Sequence, residues 1–179
     1  MHGCINGSLQ TLNLIKKIID NHMQDYEEVF KDEGESWSKE ENGKMSAILV
    51  LDQFSRNMFR KSEKAFAADH ISRRISKEMI VNGDYDNLKY LEKLFCFLPL
   101  EHSENIDDQN KCLELSQRLY DEARNEEEKK MSKGSLSFAI SHLDTIKKFG
   151  RFPYRNEVLG RESTPEELKY LEDGARYGQ

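Results

Sequence analysis

The stretch LNLIKKIIDNHMQDYEEVF, residues 12–30, decides the class of fold. Its apolar side chains recur every three or four residues, at Leu12, Ile15, Ile19, Met23, Tyr26 and Phe30. That spacing places them along one face of an amphipathic helix. Because no segment of the chain shows the alternating β-branched pattern of a strand, the sequence predicts an all-α protein.

Apolar residues with the same period predict further helices over residues 45–60, 68–79, 88–98, 112–123 and 136–146. Pro99 is predicted to end the third of these. The charged run of residues 126–133 is predicted to be a frayed end or a loop. Thr164, Pro165 and Glu167 supply the N-cap, the first-turn proline and the capping-box glutamate of a last short helix. With short connections, about seven or eight helices are expected to form an antiparallel bundle.

The length and net charge of the chain limit the classes of protein to which it can belong. A chain of 179 residues suits a single domain, predicted to span residues 1–179. The net charge of -6 argues against general binding to nucleic acid, which requires a basic surface. No apolar run reaches about 18 residues and no signal-peptide pattern is present, so neither a membrane span nor secretion is predicted. The three cysteines lack CxxC spacing, which predicts reduced thiols, no disulfide and a cytoplasmic location.

The most unusual segment is LDQFSRNMFR, residues 51–60. On a helical wheel Asp52 falls within the apolar face, and Arg56 lies one turn after it. A carboxylate in that position needs a partner, so the sequence predicts an ion pair between the two. Two interpretations stay open. The pair either fixes how the helix docks, or it orients Arg56, which together with Arg60 would bind a carboxylate or phosphate.

A second polar group follows the third predicted helix, where Glu101, His102 and Glu104 lie close together in the sequence. His102 is a candidate general acid or base. The spacing is not that of a metal site, and helix capping in a solvated loop explains the same residues. His142 is predicted to lie at the edge of the core, where a hydrogen-bonded structural histidine is the simpler interpretation.

A third group is the loop FGRFPYRN, residues 149–156, which contains Arg151, Arg155 and Asn156. Residues 147–161 carry five basic residues against one acidic residue, a net charge of +4 in an acidic chain. Such concentrated positive charge suits a small anion or an acidic peptide. Pairing with acidic residues of a neighbouring helix is the alternative.

These motifs together resemble the domain of unknown function 924 family. The resemblance is carried, in order, by LDQFSRNMFR at 51–60, Ala65-Phe66 with Asp69, PLEHSE at 99–104, His142 with FGRFPYRN at 149–156, and LGREST at 159–164. It extends from about Ile18 to Leu171. Members usually begin with a Trp/Phe-rich segment that has no counterpart here, and Tyr154 and Ser55 stand where members often have His and Pro.

The resemblance implies a fold and a site, but no reaction. The implied fold is a tetratricopeptide-like, right-handed arrangement of helical hairpins. The implied site is one polar pocket in which the motif residues converge. Its candidate catalytic residues are Glu101, His102 and His142, and its candidate ligand-binding residues are Asp52, Arg56, Asn57, Arg60, Arg151, Arg155 and Asn156.

Two hypotheses of function follow. In the first, the protein binds a small anionic molecule in the polar pocket, with or without acid–base chemistry. In the second, it is a helical scaffold that binds a peptide, since the sequence contains no Gly-rich phosphate loop, GxSxG elbow or HExxH motif. No cofactor or metal is predicted. The sequence leaves open whether the protein is an enzyme, and it does not indicate the oligomeric state.

Overall fold

The computed structural model describes the backbone of residues 2–40 and 42–173 and the side chains of residues 13–40 and 42–172. Throughout this part of the chain the regular structure is helical and no strand occurs, which confirms the all-α prediction. The chain forms two compact units, Met1–Ser72 and Arg73–Gln179. The tetratricopeptide-like arrangement and the single domain stay predictions.

The first unit is built on two long helical segments. Helix α1 spans His2–Lys31, and after the 3₁₀ turn Trp37–Lys39 a second rod runs without a break from residue 43 to residue 58. This rod consists of α2 (Gly43–Ile48), a π-helical segment (Leu49–Phe54) and α3 (Ser55–Met58). A 3₁₀ turn, Glu63–Phe66, then leads to α4, Asp69–Val81, which carries the chain into the second unit.

Helix α1 packs on the rod with a face slightly different from the predicted one. Tyr26 is buried and its ring lies 5.0 Å from the ring of Phe59, edge to face. The next buried residue is Val29, which is fully buried, whereas Phe30 is exposed and stacks on Tyr26. The sequence placed Phe30 on the apolar face of this helix, and at this position Val29 is the buried residue instead, because either residue continues the helical spacing.

The π-helical segment distinguishes the rod from a regular α-helix. The backbone N–H of Ser55 donates to the carbonyl of Val50, five residues earlier, rather than to that of Leu51. The Leu51 carbonyl instead accepts a 2.6 Å hydrogen bond from the Ser55 hydroxyl. This side-chain bond satisfies the buried backbone oxygen that the wider turn displaces. The helix predicted to reach Arg60 ends at Met58, so Arg60 lies in the following turn.

The second unit is a cluster of helices that starts with the end of α4. A 3₁₀ turn, Asp84–Asn87, is followed by α5 (Tyr90–Glu101), α6 (Ile106–Asp121) and α7 (Glu126–Phe149). Helix α6 packs against both α5 and α7, and α5 also contacts α7. The short turn Pro153–Arg155 and the final helix α8, Pro165–Asp173, complete the unit.

Two predicted boundaries in this unit were wrong. Pro99 lies inside α5, which continues to Glu101, because a proline near the end of a helix removes only one backbone hydrogen bond. The charged run at 126–133 is not a loop but the start of α7. Asn125 caps this helix by accepting the N–H of Glu128, and the three glutamates of the first turn favour the positive end of the helix dipole.

The buried face of α7 also differs from the apolar stripe in the sequence. Ile140 is exposed, whereas small and polar residues on another side of the helix are buried, among them Ser132, Ser135, Ala139 and His142. Leu143 and Ile146 of the predicted stripe are buried as well, so the stripe is correct for the second half of α7 and wrong at Ile140. His142 therefore lies inside the unit rather than at its edge.

The predicted capping box at the start of α8 is confirmed. The Thr164 hydroxyl accepts the N–H of Glu167, and the Glu167 carboxylate accepts the N–H of Thr164. No helix in the described part of the chain is both long enough and apolar enough to cross a membrane.

Candidate functional site

The first charged cluster is centred on Arg56 in the first unit. The π-helical segment buries Asp52 completely, and Arg56, on the next turn, is also buried. The Arg56 Nη2 atom lies 3.2 Å from Asp52 Oδ1 and 2.9 Å from Asp69 Oδ1. Gln53 donates to the second oxygen of Asp52 at 2.5 Å. The ion pair predicted from the helical wheel is therefore present, and Asp69 extends it.

This cluster joins two elements of the first unit. Asp69 is the first residue of α4, so Arg56 connects that helix to α3. The guanidinium also lies over the Phe66 ring, 5.4 Å from its centroid. Burial, followed by the negative charge of Asp69, raises the pKa of Tyr26. Because an arginine keeps its proton under all conditions in which proteins fold, the positive charge here is permanent.

The other two candidate residues of the first unit, Asn57 and Arg60, are less buried than Asp52 and Arg56. Asn57 donates to the Gln53 carbonyl one turn earlier, at 2.8 Å. Arg60 is exposed in the turn after α3. The structure thus brings Asp52, Arg56 and Asn57 onto one short helical segment and places Arg60 after its end.

The second charged cluster is an acid–base pair inside the second unit. Glu101 is the last residue of α5, and His142 lies on α7. Both are almost completely buried, with 4% and 2% of their surfaces exposed. The His142 Nδ1 atom lies 3.7 Å from Glu101 Oε1. Two residues 41 positions apart in the sequence therefore meet between packed helices.

The surroundings of His142 determine which ring nitrogen carries the proton. Nδ1 lies 2.9 Å from the carbonyl oxygen of Phe138, which can only accept a hydrogen bond. The geometry therefore assigns a proton to Nδ1. In the neutral imidazole, Nε2 then holds the lone pair that can accept a proton. The Nδ1 proton thus lies on the side of the ring that faces the Phe138 carbonyl and the Glu101 carboxylate.

His102 lies next to this pair and is less buried. Its ring centroid is 6.3 Å from that of His142, with the rings at 61° to each other. The His102 carbonyl accepts a 2.9 Å hydrogen bond from Arg155 Nη2. The guanidinium of Arg155 is buried, stacks 4.7 Å from the centroid of Phe152 and donates to the Tyr154 hydroxyl. The second unit thus brings together His102, His142, Glu101 and Arg155.

Cys112 is a further neighbour that the sequence did not connect with this site. Its sulfur lies 4.0 Å from Glu101 Oε2, and the thiol is fully buried. Burial and the negative charge of Glu101 raise the pKa of Cys112 well above its usual value. Cys112 is therefore a thiol, not a thiolate, at neutral pH, and it is a poor nucleophile. The sequence correctly indicated a buried cysteine, but carried no signal for its contact with Glu101.

Arg151 and Asn156 belong to a separate network around Glu167. Arg151 forms a two-pronged ion pair with the Glu167 carboxylate, at 2.6 and 2.8 Å. Asn156 donates to Ser163 Oγ and to Glu167 Oε2. Hydrogen bonds from Arg151 lower the pKa of Glu167 to about 2, although burial of the carboxylate acts in the opposite direction. The network fixes the start of α8 against the loop.

The positive charge that the sequence concentrates at residues 147–161 is largely paired. Lys148, Arg151 and Arg161 form ion pairs with Glu166, Glu167 and Glu104, respectively. The sequence left two interpretations of this charge open, anion binding and pairing with acidic residues. Three of the five basic residues in the segment form such pairs.

Glu104, like Cys112, is not among the site residues predicted from the sequence. Its carboxylate accepts two hydrogen bonds from Arg161, at 2.8 and 3.0 Å, and one from the N–H of Phe152 at 2.7 Å. Burial alone would raise the pKa of Glu104, but these bonds and the charges of Arg161 and Arg155 hold it below its usual value.

The predicted convergence of all candidate residues on one pocket stays a prediction. Each unit brings its own candidates together, in a fixed-charge cluster around Arg56 and in an acid–base pair between Glu101 and His142. Among the described residues, no group of three or more His, Cys, Asp or Glu side chains has the arrangement of a metal site.

The fold and these two clusters define an all-α protein with a buried, titratable acid–base pair. Residues 10–175 match the family DUF924, described as a bacterial protein of unknown function, and the chain belongs to this family. A solved structure of a protein of unknown function, ATU0120 from Agrobacterium tumefaciens, is similar to it. That protein is 31% identical, with a TM-score of 0.78 over 90% of this chain and 85% of the other. No curated protein matches the chain. The resemblance noted in the sequence is confirmed, and it assigns a family without assigning a reaction.

Proposed function

We propose that the protein is an enzyme that binds a small anionic molecule and transfers a proton on it with His142. The observation that carries this proposal is the buried pair of Glu101 and His142, 3.7 Å apart. Placing an ionisable acid and base inside a protein requires desolvation that costs several kcal/mol per ion. Such pairs occur at active sites more often than elsewhere, because burial adjusts their proton affinity to a reaction.

The chemistry of the pair supports proton transfer in particular. With the Nδ1 proton directed to Phe138 and Glu101, Nε2 is the nitrogen that takes up a proton from a substrate. The nearby carboxylate stabilises the imidazolium that results. His102, less buried and 6.3 Å from His142 between ring centroids, is suited to pass protons between the pair and the solvent.

Arg155 supports the anionic character of the ligand. Its guanidinium is held beside His102 by the His102 carbonyl and by the rings of Phe152 and Tyr154. A planar guanidinium fixed in this way matches a carboxylate or a phosphate better than a lysine would. In this proposal Arg155 orients the ligand.

The first experiment is thermal unfolding of the protein with a panel of phosphates, carboxylates and nucleotides. A ligand at 100 times its dissociation constant adds about 2.7 kcal/mol of stability. For a domain of this size, the midpoint should rise by roughly 5–10 °C. Arg155→Lys should weaken the shift. His142→Gln should keep the shift but abolish conversion of the ligand, which is followed by NMR of the ligand itself.

His22→Gln is the matched control. His22 also lies beside a carboxylate, at 2.9 Å from Asp25, but this pair is about 40% exposed on α1. The control should bind and convert the ligand like the wild type. Unchanged conversion in His142→Gln would refute the proposal. A panel without any stabilising ligand would count against a small-molecule site and favour the peptide-binding scaffold.

A further inference from the structure

The Glu104 carboxylate joins two segments that are distant in the sequence. It accepts hydrogen bonds from the Phe152 N–H and from both terminal nitrogens of Arg161. Arg161 also donates to the Phe152 carbonyl, at 3.2 Å. Both backbone polar groups of Phe152 are therefore held by this one ion pair. We refer to Glu104, Arg161 and the Phe152 backbone as the clamp.

The side chain of Phe152 connects the clamp to the acid–base pair. Its ring is fully buried and meets the His142 ring edge to face, with centroids 5.4 Å apart and an angle of 80°. Such aromatic pairs are directional, so a fixed Phe152 favours one orientation of the imidazole. Rotating the His142 ring by half a turn would place Cδ2 and Cε1 where Nδ1 and Nε2 now lie, and would take the Nδ1 proton away from the Phe138 carbonyl.

We propose that Glu104 and Arg161 are positioning residues for His142. They fix the backbone of Phe152, and the Phe152 ring then holds the imidazole with Nδ1 towards Phe138 and Glu101. The catalytic meaning of this arrangement rests on the proposed function, whereas the orientation of the ring is a property of the protein without any ligand.

Glu101 and Glu104 thus act on the same imidazole by two routes. Glu101 lies beside Nδ1, and Glu104, three residues later, reaches the ring through Phe152. The first route starts at the last residue of α5, and the second starts in the connection that follows this helix. Support of this kind, from residues behind the reacting group, is what keeps a catalytic side chain in its productive geometry.

The test is ¹⁵N NMR of the full-length protein labelled at histidine, without ligand. The His142 signals are assigned by their loss in His142→Gln. In the wild type they should show a protonated Nδ1 at a pH where the ring is neutral. Arg161→Lys keeps the charge but removes the two-pronged contact, so it should shift the His142 signals towards a mixture of the two tautomers. Arg161→Lys should also lower conversion of any ligand found, with binding unchanged.

Arg118→Lys is the matched control, because Arg118, like Arg161, forms hydrogen-bonded ion pairs within the same unit, in its case with Asp86 and Glu122. It should leave the His142 signals unchanged. If Arg161→Lys does not fold, as judged by circular dichroism, Phe152→Leu replaces it, since it keeps the apolar character and removes the ring. Identical His142 tautomers in the folded variant and the wild type would overturn the clamp proposal. The NMR result tests only the clamp, because it is measured without a ligand. The proposed function is tested separately, by conversion of a ligand.

Discussion

The two charged clusters are both buried, but they hold different kinds of charge. Around Arg56 the positive charge is permanent, because a guanidinium does not release its proton. Between Glu101 and His142 the charge is exchangeable, since an imidazole, unlike a guanidinium, exists in a neutral and in a protonated form. A permanent charge suits a connection between helices, whereas an exchangeable one suits proton transfer. Burial alone therefore does not identify the candidate site. The type of basic group in each cluster, guanidinium or imidazole, distinguishes the two.

The largest effect is expected at the permanent charge. Arg56→Ala should lower the free energy of unfolding by about 3–5 kcal/mol, because it leaves two carboxylates around a buried site without this guanidinium. Chemical denaturation in urea measures the loss. Arg74→Ala is the control, since Arg74 pairs with Glu78 on a partly exposed surface and should lose at most about 1 kcal/mol. Equal losses in the two variants would contradict the structural role of Arg56.

The second prediction is that removing the whole pair of Glu101 and His142 does not lower the free energy of unfolding. Replacing both partners, with Glu101→Met and His142→Leu together, should leave stability unchanged or raise it by about 1–4 kcal/mol, because two desolvated polar groups are removed. Glu101→Met alone should be destabilising. Urea denaturation of the three proteins provides the comparison. A double variant less stable than Glu101→Met alone would show that the pair is a structural connection like the one around Arg56.

A third prediction uses the ion pair between Arg151 and Glu167 in the second unit. Glu167→Gln should lower stability by about 1.5–3 kcal/mol at pH 7, the usual contribution of hydrogen bonds to a charged group. Hydrogen bonds from Arg151 depress the pKa of Glu167 from 4.5 to about 2. The stabilisation is therefore fully present above pH 4.5 and is lost as the pH falls towards 2. The difference between wild type and variant should shrink over this interval, and a constant difference would exclude the ion pair as its cause.

The smallest effect concerns the helix that carries Asp52. Ser55→Ala should cost about 1 kcal/mol, because it leaves the Leu51 carbonyl of the π-helical segment without its hydroxyl donor. Ser132→Ala is the control. Ser132 also donates to a carbonyl four residues earlier, but in a regular α-helix where the backbone already supplies a donor. Equal losses would mean that the π-helical geometry adds nothing to the role of Ser55.

Local sequence patterns predicted most of the helices and part of their chemistry. The periodic apolar residues gave the all-α class, the capping box gave the start of α8, and the helical wheel gave the pair of Asp52 and Arg56. Each of these depends on residues within about one turn of helix. The π-helical segment, the exposed Ile140 and the continuation of α5 past Pro99 were missed, because tertiary packing decides them.

The sequence indicated which residues belong to the candidate site, but not how they are arranged in space. The motifs contain Glu101 and His142, yet only the packing of α5 and α7 brings them together. The same holds for Glu104 and Arg161, which are 57 positions apart. Arg151 shows the opposite case, since its charge suggested a ligand and the structure provides a carboxylate from α8.

The π-helical segment also affects how the length of this chain can change during evolution. A π-turn contains one more residue than an α-turn, so it is the form that a helix takes when it absorbs a single inserted residue. Removing one residue from Leu49–Phe54 would restore an ordinary helix rather than break it, but everything after the deletion would turn by about 100°. The residues of α3 would then turn away from α1, which packs against this rod. Insertions and deletions are usually tolerated only in loops, and here a helix interior could accommodate one while losing its packing against α1.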